Sequence, residues 1–385
     1  MKAEADMAGT DTTGALDGRR VHLVLATSTG GVGQHVASLV EGLVAADARV
    51  TVAGPAATEE LFGFGARGAR FVPVEISAGV DPVADARAAR RLRAALRGPG
   101  GARATDIVHA HGMRAGLVAR AARPLGAPLV VTWHNVLMST GGVKGRVLGA
   151  AEKAVARGAD LSLCVSEDLV TRVLRLGGRD VRFGPVPAPP LPPAARDAAA
   201  VRAELGVAEG RPLVLSIARL APQKRVDVLI DAAASLAGRD PAPLFVVAGE
   251  GPLREDLAAR IAATGAPVTL LGHRKDVPDL LGAADLVVGT AEWEGYPLFA
   301  QEALRSGTPL IATRVGGVPH VTGDAAILVA PGEAAATAAA IARVLDDAGE
   351  RERLSAAGRE RGAGLPTVAD AVAQVEAVYR ELTGA

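Results

Sequence analysis

The chain has 385 residues, of which 49% are hydrophobic and 22% are charged, which is typical of a globular protein large enough for two domains. Its 42 Lys and Arg residues balance 42 Asp and Glu residues, and this neutrality argues against a general nucleic-acid-binding protein. The single cysteine, Cys164, excludes a disulfide framework or a thiolate metal site and favours a reducing compartment.

The first 18 residues are small and polar, so we expect a disordered leader over 1–18 rather than a signal peptide. The sequence holds no apolar run near the roughly 18 residues that a membrane span requires. Together these features predict a cytoplasmic protein.

From residue 19 onward, short apolar runs alternate with helical patterns. The runs from "RVHLVLATS" to "LSLCVS" are nearly continuous in apolar residues, as in a parallel sheet covered on both faces. Between them lie predicted helices at 32–46, 83–97, 113–123, 144–158 and 167–176. This order predicts a doubly wound sheet over 19–187.

The stretch "GPVPAPPLPPAAR" contains six prolines and excludes both a helix and a central strand. We therefore predict a linker at 188–196. The alternation then restarts over 197–365, and a last helix within 366–385 is expected to pack back on the first domain. The predicted fold is α/β, with two Rossmann-like doubly wound parallel-sheet domains facing a cleft. Ligands of such sheets bind beyond the carboxyl ends of the strands, so motifs that follow strands are the candidates for a site.

The first such motif, "ATSTGGVGQHV", joins the first strand to the first helix. Its glycines, including Gly31, allow a ligand to approach the backbone, and a helix amino end favours an anion. A plain strand-to-helix turn is the alternative. The second strand ends in "TVAGP" and lacks the acid that would hold the ribose of NAD.

Three histidines follow the next strands of the first domain. His109 and His111 end the run "DIVHAH", and His134 ends "VVTWH". They either stabilise the loops or contact a ligand. A metal site is not favoured by the sequence, because no carboxylate or cysteine has matching local spacing.

In the second domain, the loop of "SIARLAPQKR" carries Arg219 and Lys224 ahead of a helix, and such a pair suits a diphosphate. The same residues are common in exposed loops, so the pattern alone is not specific. Gly249 and Gly251 form a second glycine-rich turn. The polar residues of "GHRK" that follow another strand could face a base, and they are His273 and Arg274.

The stretch "GTAEWEGYPLFAQ" places Glu294 before a helix, and Glu302 lies one turn into it. Glu302 shares a helix face with apolar residues. A buried carboxylate without a partner is unfavourable, so Glu302 requires either Arg305 or the hydroxyl groups of a ligand.

Residues 20–382 resemble the retaining glycosyltransferases of family 4, which have the GT-B fold, most specifically over 212–332. The resemblance implies that Arg219 and Lys224 grip the diphosphate of a nucleotide sugar. It also implies that Glu294 contacts the transferred sugar and that Glu302 contacts the ribose of the nucleotide. His134 matches a family histidine near the sugar, and Gly31 matches a glycine near the diphosphate. The segment that would serve the sugar and phosphates is Tyr296, Pro297, Leu298, Phe299 and Ala300. We also expect the donor to be contacted by Gly249, Gly251, His273 and Arg274.

By the same resemblance, the reaction moves a hexose from a UDP- or GDP-sugar with retention of configuration. The leaving phosphate activates the acceptor, and Glu294 as a nucleophile is less favoured. We expect no cofactor and no essential metal, because the chain has no Asp-x-Asp motif. The acceptor is a small molecule, a glycan or a lipid-linked precursor, and its expected contacts are His109, His111, Asn135 and Arg146.

Four residues depart from the family pattern: Pro297, Gln301, Arg225 and His320. They leave the identity of the donor open. A separate feature is the arginine-rich stretch 83–97, which is either a solvated helix face or a basic face for anionic lipids, implying a peripheral site on the inner membrane surface. Its arginines are Arg87, Arg90, Arg91, Arg93 and Arg97.

Two other functions remain open at this stage. One is an NAD-dependent oxidoreductase on paired Rossmann domains, against which the missing ribose acid argues. The other is a GT-B-like protein that binds a nucleotide sugar without transferring it, against which the presence of both basic residues and both glutamates argues.

Overall fold

The strands of the computed structural model are the apolar runs of the sequence, and its helices lie between them. The structure describes residues 16, 18–77, 79, 81–98, 104–137 and 141–384, with the side chain of residue 144 left out. The predicted leader lies outside the described residues except for Leu16 and Gly18.

The chain divides into two compact units. The first contains the described residues within Met1–Cys164, together with Val170–Gly184 and Val368–Ala385. The second contains Val165–Leu169 and Pro185–Thr367.

The first unit holds a seven-stranded sheet in the order β3-β2-β1-β4-β5-β6-β7, and every neighbouring pair is parallel. In β4 and β5 every residue is buried, as expected for strands covered on both faces. The strands are β1 (Arg20–Leu25), β2 (Arg49–Gly54), β3 (Arg70–Pro73), β4 (Ile107–His111), β5 (Leu129–Trp133), β6 (Leu161–Cys164) and β7 (Val181–Phe183).

The helices among the described residues before the proline-rich stretch are α1 (Gly31–Ala45), α2 (Ala56–Phe62), α3 (Pro82–Ala95), α4 (Met113–Ala122), α5 (Gly142–Gly158) and α6 (Glu167–Leu176). In α1, the apolar residues Val36, Leu39, Val40 and Leu43 are buried at helical spacing against the sheet. Each such side chain contributes about 1.5–3 kcal/mol when it is removed from water.

The second unit repeats the plan with a six-stranded parallel sheet in the order β10-β9-β8-β11-β12-β13. Its strands are β8 (Leu213–Ile217), β9 (Leu244–Ala248), β10 (Val268–Gly272), β11 (Leu286–Gly289), β12 (Leu310–Thr313) and β13 (Ile327–Val329). Its helices are α7 (Ala198–Glu204), α8 (Val226–Ser235), α9 (Arg254–Thr264), α10 (Val277–Ala283), α11 (Leu298–Ser306), α12 (Val318–Thr322), α13 (Ala334–Asp346) and α14 (Ala348–Ala363).

The last helix, α15 (Val368–Thr383), belongs to the first unit. Its Val372, Val375 and Tyr379 join the core beneath β1, and Val372 packs where α1 has Gly42. A Cβ atom at Gly42 would lie 2.5 Å from the Val372 side chain, so the glycine permits the two helices to approach.

The described helices include none with the length and hydropathy needed to cross a bilayer. Each sheet has one place where the strand order reverses: between β1 and β4 in the first unit, and between β8 and β11 in the second. At such a place the loops after the two strands run in opposite directions and leave a crevice at the carboxyl edge, where ligands of doubly wound sheets bind.

Candidate active site

Two charged side chains meet where the order of the second sheet reverses. Lys224 follows β8 in a 3-10 turn, Pro222–Lys224, and Glu294 follows β11. The Lys224 Nζ donates a hydrogen bond of 2.6 Å to Glu294 Oε1. The Glu294 side chain is 9% exposed and the Lys224 side chain 26%, so the pair is largely removed from water. The structure thus places side by side the two residues expected at a diphosphate and at a sugar.

The loop that carries Glu294 is tied to the loop that carries Lys224. Gln223 donates from Nε2 to the Trp293 carbonyl at 2.7 Å, and its own carbonyl accepts from the Glu292 amide at 2.8 Å. The Thr290 hydroxyl donates to the carbonyl of Arg225 at 2.9 Å. The relative position of the two charged groups is therefore set by backbone contacts as well as by their own ion pair.

The indole of Trp293 is anchored separately. Its Nε1 donates to Asp168 Oδ2 at 2.7 Å, and the Asp168 carboxylate also accepts from the Ser166 hydroxyl. Trp293 is 7% exposed. Sequence reasoning missed Asp168, because it is 125 residues away from Trp293 and no local pattern marks it.

Gly316 and Gly317, after β12, hold the backbone of Glu294 from the other side. The Gly317 amide donates to the Glu294 carbonyl at 3.0 Å. Gly316 has φ +49°, and a Cβ atom there would lie 2.0 Å from the same carbonyl oxygen. The position thus requires glycine both for its left-handed backbone and for its close contact.

Arg219 extends from the end of β8 and is exposed. It makes no ion pair with any residue that the structure describes. Behind it, the β9–α9 turn packs closely: a Cβ atom at Gly249 would lie 2.0 Å from the Ala218 carbonyl oxygen, and one at Gly251 would lie 2.3 Å from that of Leu220. These two glycines were expected to bind the donor, and their immediate contact is with the Arg219 loop.

Helix α11 begins directly after Pro297, which forms its N-cap. Tyr296 is 6% exposed, and burial raises the pKa of its phenol. The ring of Phe299 lies over Gly289, where a Cβ atom would come within 2.4 Å of it. The free amides at the first turn of α11, at Leu298 and Ala300 among others, are a place where an anion is stabilised by the helix dipole. Pro297 itself has no amide hydrogen to donate.

Glu302 lies one turn into α11 and is half-buried. Burial raises the pKa of its carboxyl, and the positive charge of Arg305 opposes this only partly. The guanidinium of Arg305 donates instead to the carbonyls of Ala188 at 2.7 Å and Pro366 at 3.2 Å. Among the described residues Glu302 has no ion-pair partner within 4 Å, so of the two partners expected for it, a ligand hydroxyl remains.

Two departures from the family pattern have structural explanations. Gln301 is fully buried: its Oε1 accepts from the Ala188 amide at 2.7 Å, and its Nε2 donates to the Val186 carbonyl at 3.1 Å. It therefore secures the proline-rich segment to α11. Arg225 has φ +48° and pairs with Asp227 and Glu292, each at 3.0 Å. A third departure is His320. Its Nδ1 lies 3.6 Å from a carboxylate oxygen of Glu167, and its ring centroid lies 6.3 Å from that of Tyr296.

The two residues expected at the base of the nucleotide, His273 and Arg274, have different surroundings. His273 is exposed after β10. The guanidinium of Arg274 is bound by Asp276 at 2.6 Å and Glu204 at 2.9 Å, and its pKa is raised by the Asp276 contact above all. Contact between Arg274 and a base would require these ion pairs to open.

In the first unit, three histidines converge where the order of the sheet reverses. His111 ends β4, His134 follows β5 and His35 lies in the first turns of α1. The His111 Nδ1 and His134 Nε2 atoms are 3.2 Å apart. Burial, followed by the neighbouring histidines, lowers the pKa values of His111 and His134 well below the ordinary value. The burial of His35 lowers its pKa to about 4, so all three imidazoles are neutral at pH 7.

His35 was missed by sequence reasoning, although it lies in the quoted motif "ATSTGGVGQHV". The signal was available: a histidine four residues into the first helix reaches the edge of the adjacent strand in a doubly wound sheet. Gly31, in the same motif, is the first residue of α1 and is exposed. The Gly33 amide donates to Ser28 Oγ at 3.1 Å, which satisfies one of the free amides at this helix start.

The assignment of His109 to acceptor contacts is corrected by the structure. His109 is fully buried, with Nδ1 2.7 Å from the Tyr379 hydroxyl and Nε2 2.7 Å from the Thr132 hydroxyl. Because both ring nitrogens are engaged inside the unit, neither is available to an acceptor. His109 instead joins α15 to the sheet.

The remaining expected contacts lie on the surface of the first unit. Asn135 and Arg146 are exposed, the latter on α5. On α3, Ala88 and Leu92 are buried, and all five arginines of the stretch are exposed. The Arg93 guanidinium donates to the Ala121 carbonyl.

Comparison with known proteins decides the family. The model for glycosyl transferases group 1 matches residues 197–361, and the model for a glycosyl transferase 4-like domain matches residues 30–189. A glycogen synthase of Mycobacterium tuberculosis is 30% identical over 381 residues, covering 90% of each chain. The chain belongs to the group 1 glycosyl transferases.

Other relatives within this family match over shorter stretches. An alpha-D-kanosaminyltransferase of Streptomyces kanamyceticus is 35% identical over 199 residues, which are 48% of this chain and 50% of that one. Two D-inositol 3-phosphate glycosyltransferases are covered over 62% and 64% of their lengths. The chain therefore spans between half and two thirds of the length of these three relatives.

The fold is that of the GT-B glycosyltransferases. The Anabaena protein Alr3699/HepE, solved in complex with UDP and glucose, superposes with a TM-score of 0.77 at 20% identity, covering 94% of this chain and all of that one. For this group 1 glycosyl transferase, both predicted features of the fold class, the two Rossmann-like domains and their parallel sheets, are confirmed.

Proposed function

We propose that the chain transfers a hexose from a nucleoside diphosphate sugar, UDP- or GDP-linked, to an acceptor. One observation carries the proposal: a largely buried Lys–Glu pair, Lys224 and Glu294, at the place where ligands of a doubly wound sheet bind. Membership of the group 1 glycosyl transferases and the UDP and glucose bound by Alr3699/HepE support a nucleotide-sugar donor.

The site residues fall into two sets, according to the charge of the part of the donor that each would contact. A diphosphate needs positive groups, and Lys224, the exposed Arg219 and the first amides of α11 supply them. A sugar and a ribose need hydrogen-bond acceptors, and the carboxylates of Glu294 and Glu302 supply those. Glu302 lacks an ion pair among the described residues, which leaves its oxygens able to accept from ribose hydroxyls.

The rate of such a transfer depends on how well the departing diphosphate is stabilised. As the bond between the anomeric carbon and the phosphate oxygen lengthens, negative charge develops on that oxygen. Positive groups that are already in place stabilise this charge without a reorganisation cost. Because Lys224 is fixed by Glu294 and by the contacts of its loop, its ammonium is held in position before the reaction begins.

In this proposal the configuration is retained, the leaving phosphate takes up the acceptor proton, and no metal is essential to the step. His134 and Gly31 of the first unit contact the donor sugar and diphosphate. The exposed Asn135 and Arg146 contact the acceptor, whose class is a glycan, a small molecule or a lipid-linked precursor.

The test uses the donor alone, because slow hydrolysis of the sugar nucleotide reports on the same leaving group without an acceptor. The full chain would be incubated with a panel of UDP- and GDP-hexoses while release of the nucleoside diphosphate is measured. We expect release from at least one donor and its loss in Lys224→Ala. Release from no donor, together with no thermal stabilisation by UDP or GDP, would overturn the proposal.

We further propose that α3 contacts an anionic membrane surface. Its four arginines and Arg97, just beyond its end, are exposed, with Ala88 and Leu92 turned into the unit, so the positive charge is concentrated on the outer side of the helix. Sedimentation with vesicles of anionic lipid should retain the chain, and vesicles of neutral lipid should not. Equal binding to both, or unchanged binding of Arg87→Gln/Arg91→Gln, would contradict it.

A further inference from the structure

The three histidines of the first unit form a nearly equilateral triangle. The ring centroids of His35 and His111 are 5.6 Å apart, those of His35 and His134 are 5.5 Å apart, and those of His111 and His134 are 5.5 Å apart. One ring nitrogen from each lies within 4.8 Å of the others. The three ligand atoms are therefore close enough to share one ion after side-chain adjustment.

The triangle is held by the fold rather than by one flexible loop. His111 is the last residue of β4, His134 directly follows β5, and His35 is fixed by α1. The three are 7%, 2% and 7% exposed, in the order His35, His111 and His134. His109, itself bound at both nitrogens, stacks on His111 with the ring centroids 4.3 Å apart and limits rotation of that ring.

One hydrogen bond links rings of the cluster, between His111 Nδ1 and His134 Nε2. Within the part of the chain that the structure describes, His111 Nε2 is buried and has no hydrogen-bond partner. Such a buried polar atom is unfavourable by about 1–3 kcal/mol, so the cluster is not a fully satisfied hydrogen-bond network. The described residues place no carboxylate in the cluster, so its donor set is three neutral imidazole nitrogens.

We propose that His35, His111 and His134 form a binding site for a divalent transition-metal ion, with Zn²⁺ the best fit. Tetrahedral Zn²⁺ with nitrogen ligands at about 2.0–2.1 Å sets its ligand atoms about 3.3 Å apart. The His111 Nδ1 and His134 Nε2 atoms are 3.2 Å apart, which already matches this spacing; the ion would replace the hydrogen bond that now joins them, and its proton would lie on the outer nitrogen of one ring. The third nitrogen must move inward by at most about 1.5 Å, which a side-chain rotation supplies.

The chemistry of the ligands selects the ion. Neutral imidazoles bind Zn²⁺, Ni²⁺ and Cu²⁺, whereas Mg²⁺ and Ca²⁺ prefer oxygen ligands, of which the cluster has none. Three protein ligands leave a fourth position for water or for an anion. An anion there would offset part of the charge of a buried divalent ion.

This site has a consequence for transfer that rests on the proposed function. If His134 contacts the donor sugar, a metal ion on the same imidazole competes with the sugar. Occupancy would then lower the rate of donor hydrolysis while leaving the Lys224–Glu294 pair unchanged.

The test uses the full chain prepared without a polyhistidine tag. Titration with CoCl₂ should give the intense visible bands of a tetrahedral site at one equivalent per chain, and ZnCl₂ should displace them. His35→Gln should weaken binding by at least about tenfold, because it removes one of three ligands. His320→Gln, an exposed histidine of the second unit, is the matched control and should bind like the wild type.

Weak spectra characteristic of hexaaqua Co²⁺, or equal affinity in His35→Gln, would overturn the proposal. X-ray absorption of the Zn²⁺-loaded wild-type chain provides a second measurement if His35→Gln does not fold, and it should show three imidazole ligands; fewer would overturn the site. Because these readouts do not use turnover, they are independent of the proposed transfer. Zn²⁺ inhibition of donor hydrolysis that persists in His35→Gln would contradict only the competition.

Discussion

The ammonium of Lys224 and the carboxylate of Glu294 lie 2.6 Å apart although 70 residues separate them in the chain. The contact forms because β8 and β11 are neighbours in the sheet and both residues follow the carboxyl ends of these strands. Each side chain neutralises the other while no phosphate or sugar is bound. A donor would place its phosphate against the lysine and its hydroxyls against the glutamate.

Replacing Lys224 by Ala should lower donor hydrolysis by at least about 100-fold, because it removes a positive group from the departing diphosphate. It also leaves Glu294 largely buried without its cation, so the free energy of unfolding should fall by about 1–3 kcal/mol. Steady-state rates and urea denaturation measure the two effects. Lys275→Ala, at an exposed lysine after β10, is the control.

Glu294→Gln should lower the rate by a similar factor, with the volume of the side chain conserved. Because Lys224 and Glu294 act as a pair, the double variant Lys224→Met/Glu294→Gln should be less impaired than the product of the two single effects. A double-mutant cycle on the hydrolysis rate measures the coupling. Strictly multiplicative effects would show that the pair has no joint role.

Gly316→Ala tests whether the position of Glu294 depends on the glycine behind it. The new methyl group would lie 2.0 Å from the Glu294 carbonyl oxygen, so the loop must shift and donor hydrolysis should fall by at least about tenfold. Gly323→Ala is a matched control, because its φ of +52° is similar and a Cβ atom there meets nothing closer than 3.8 Å. Equal losses of activity in both variants would mean that backbone strain alone is responsible.

Glu302→Gln tests the ribose contact. Since a hydrogen bond to a charged group contributes about 1.5–3 kcal/mol, binding of UDP or GDP should weaken by at least about tenfold. Isothermal titration with the free nucleotide measures this without turnover. Glu352→Gln, at an exposed position of α14, should leave affinity unchanged. Unaltered affinity in Glu302→Gln would remove the residue from the nucleotide site.

The buried histidines predict how stability depends on pH. Burial lowers the folded-state pKa of His35 to about 4 and of His109 to about 3, whereas the unfolded value is about 6.5. As pH falls below about 6.5, the unfolded chain takes up protons first, and stability is lost progressively down to the folded-state pKa values. Shifts of this size correspond to about 3 kcal/mol for His35 and about 5 kcal/mol for His109.

Urea midpoints measured from pH 7.5 to 4.5 would check this dependence. His35→Gln should show a shallower decline than the wild type over this interval, because the side chain no longer titrates. The difference between the two curves removes the contribution of carboxylates, which both chains share. Parallel curves would contradict the neutral, buried state of His35.

Much of the fold could be predicted because its signals are local. The continuous apolar runs predicted the strands of both sheets, and the helix predicted at 32–46 is α1 within one residue. Short elements were missed: β7 has three residues that are all half-buried, and α12 has five residues with a proline in its first turn. Neither is long enough for hydrophobic periodicity to develop.

The site could be predicted only in part, because its residues come together through strand order. Resemblance to a family singled out Lys224 and Glu294, yet the sequence carries no sign that they touch. The place of His35 depends on which strand ends are neighbours, whereas Asp168 and Gln301 take their roles from contacts with segments more than 100 residues away in the chain. His109 had the same local pattern as His111, and only the packing of Tyr379 from the far end of the chain distinguishes them.

The most direct test of the central claim is the rate of nucleoside diphosphate release from the preferred sugar nucleotide, compared among the wild type, Arg219→Ala, Lys224→Ala and Lys275→Ala. Stabilisation of the departing diphosphate by these two positive residues predicts losses of at least about 100-fold in Arg219→Ala and Lys224→Ala and wild-type release in Lys275→Ala. Release at the wild-type rate from both Arg219→Ala and Lys224→Ala would contradict it.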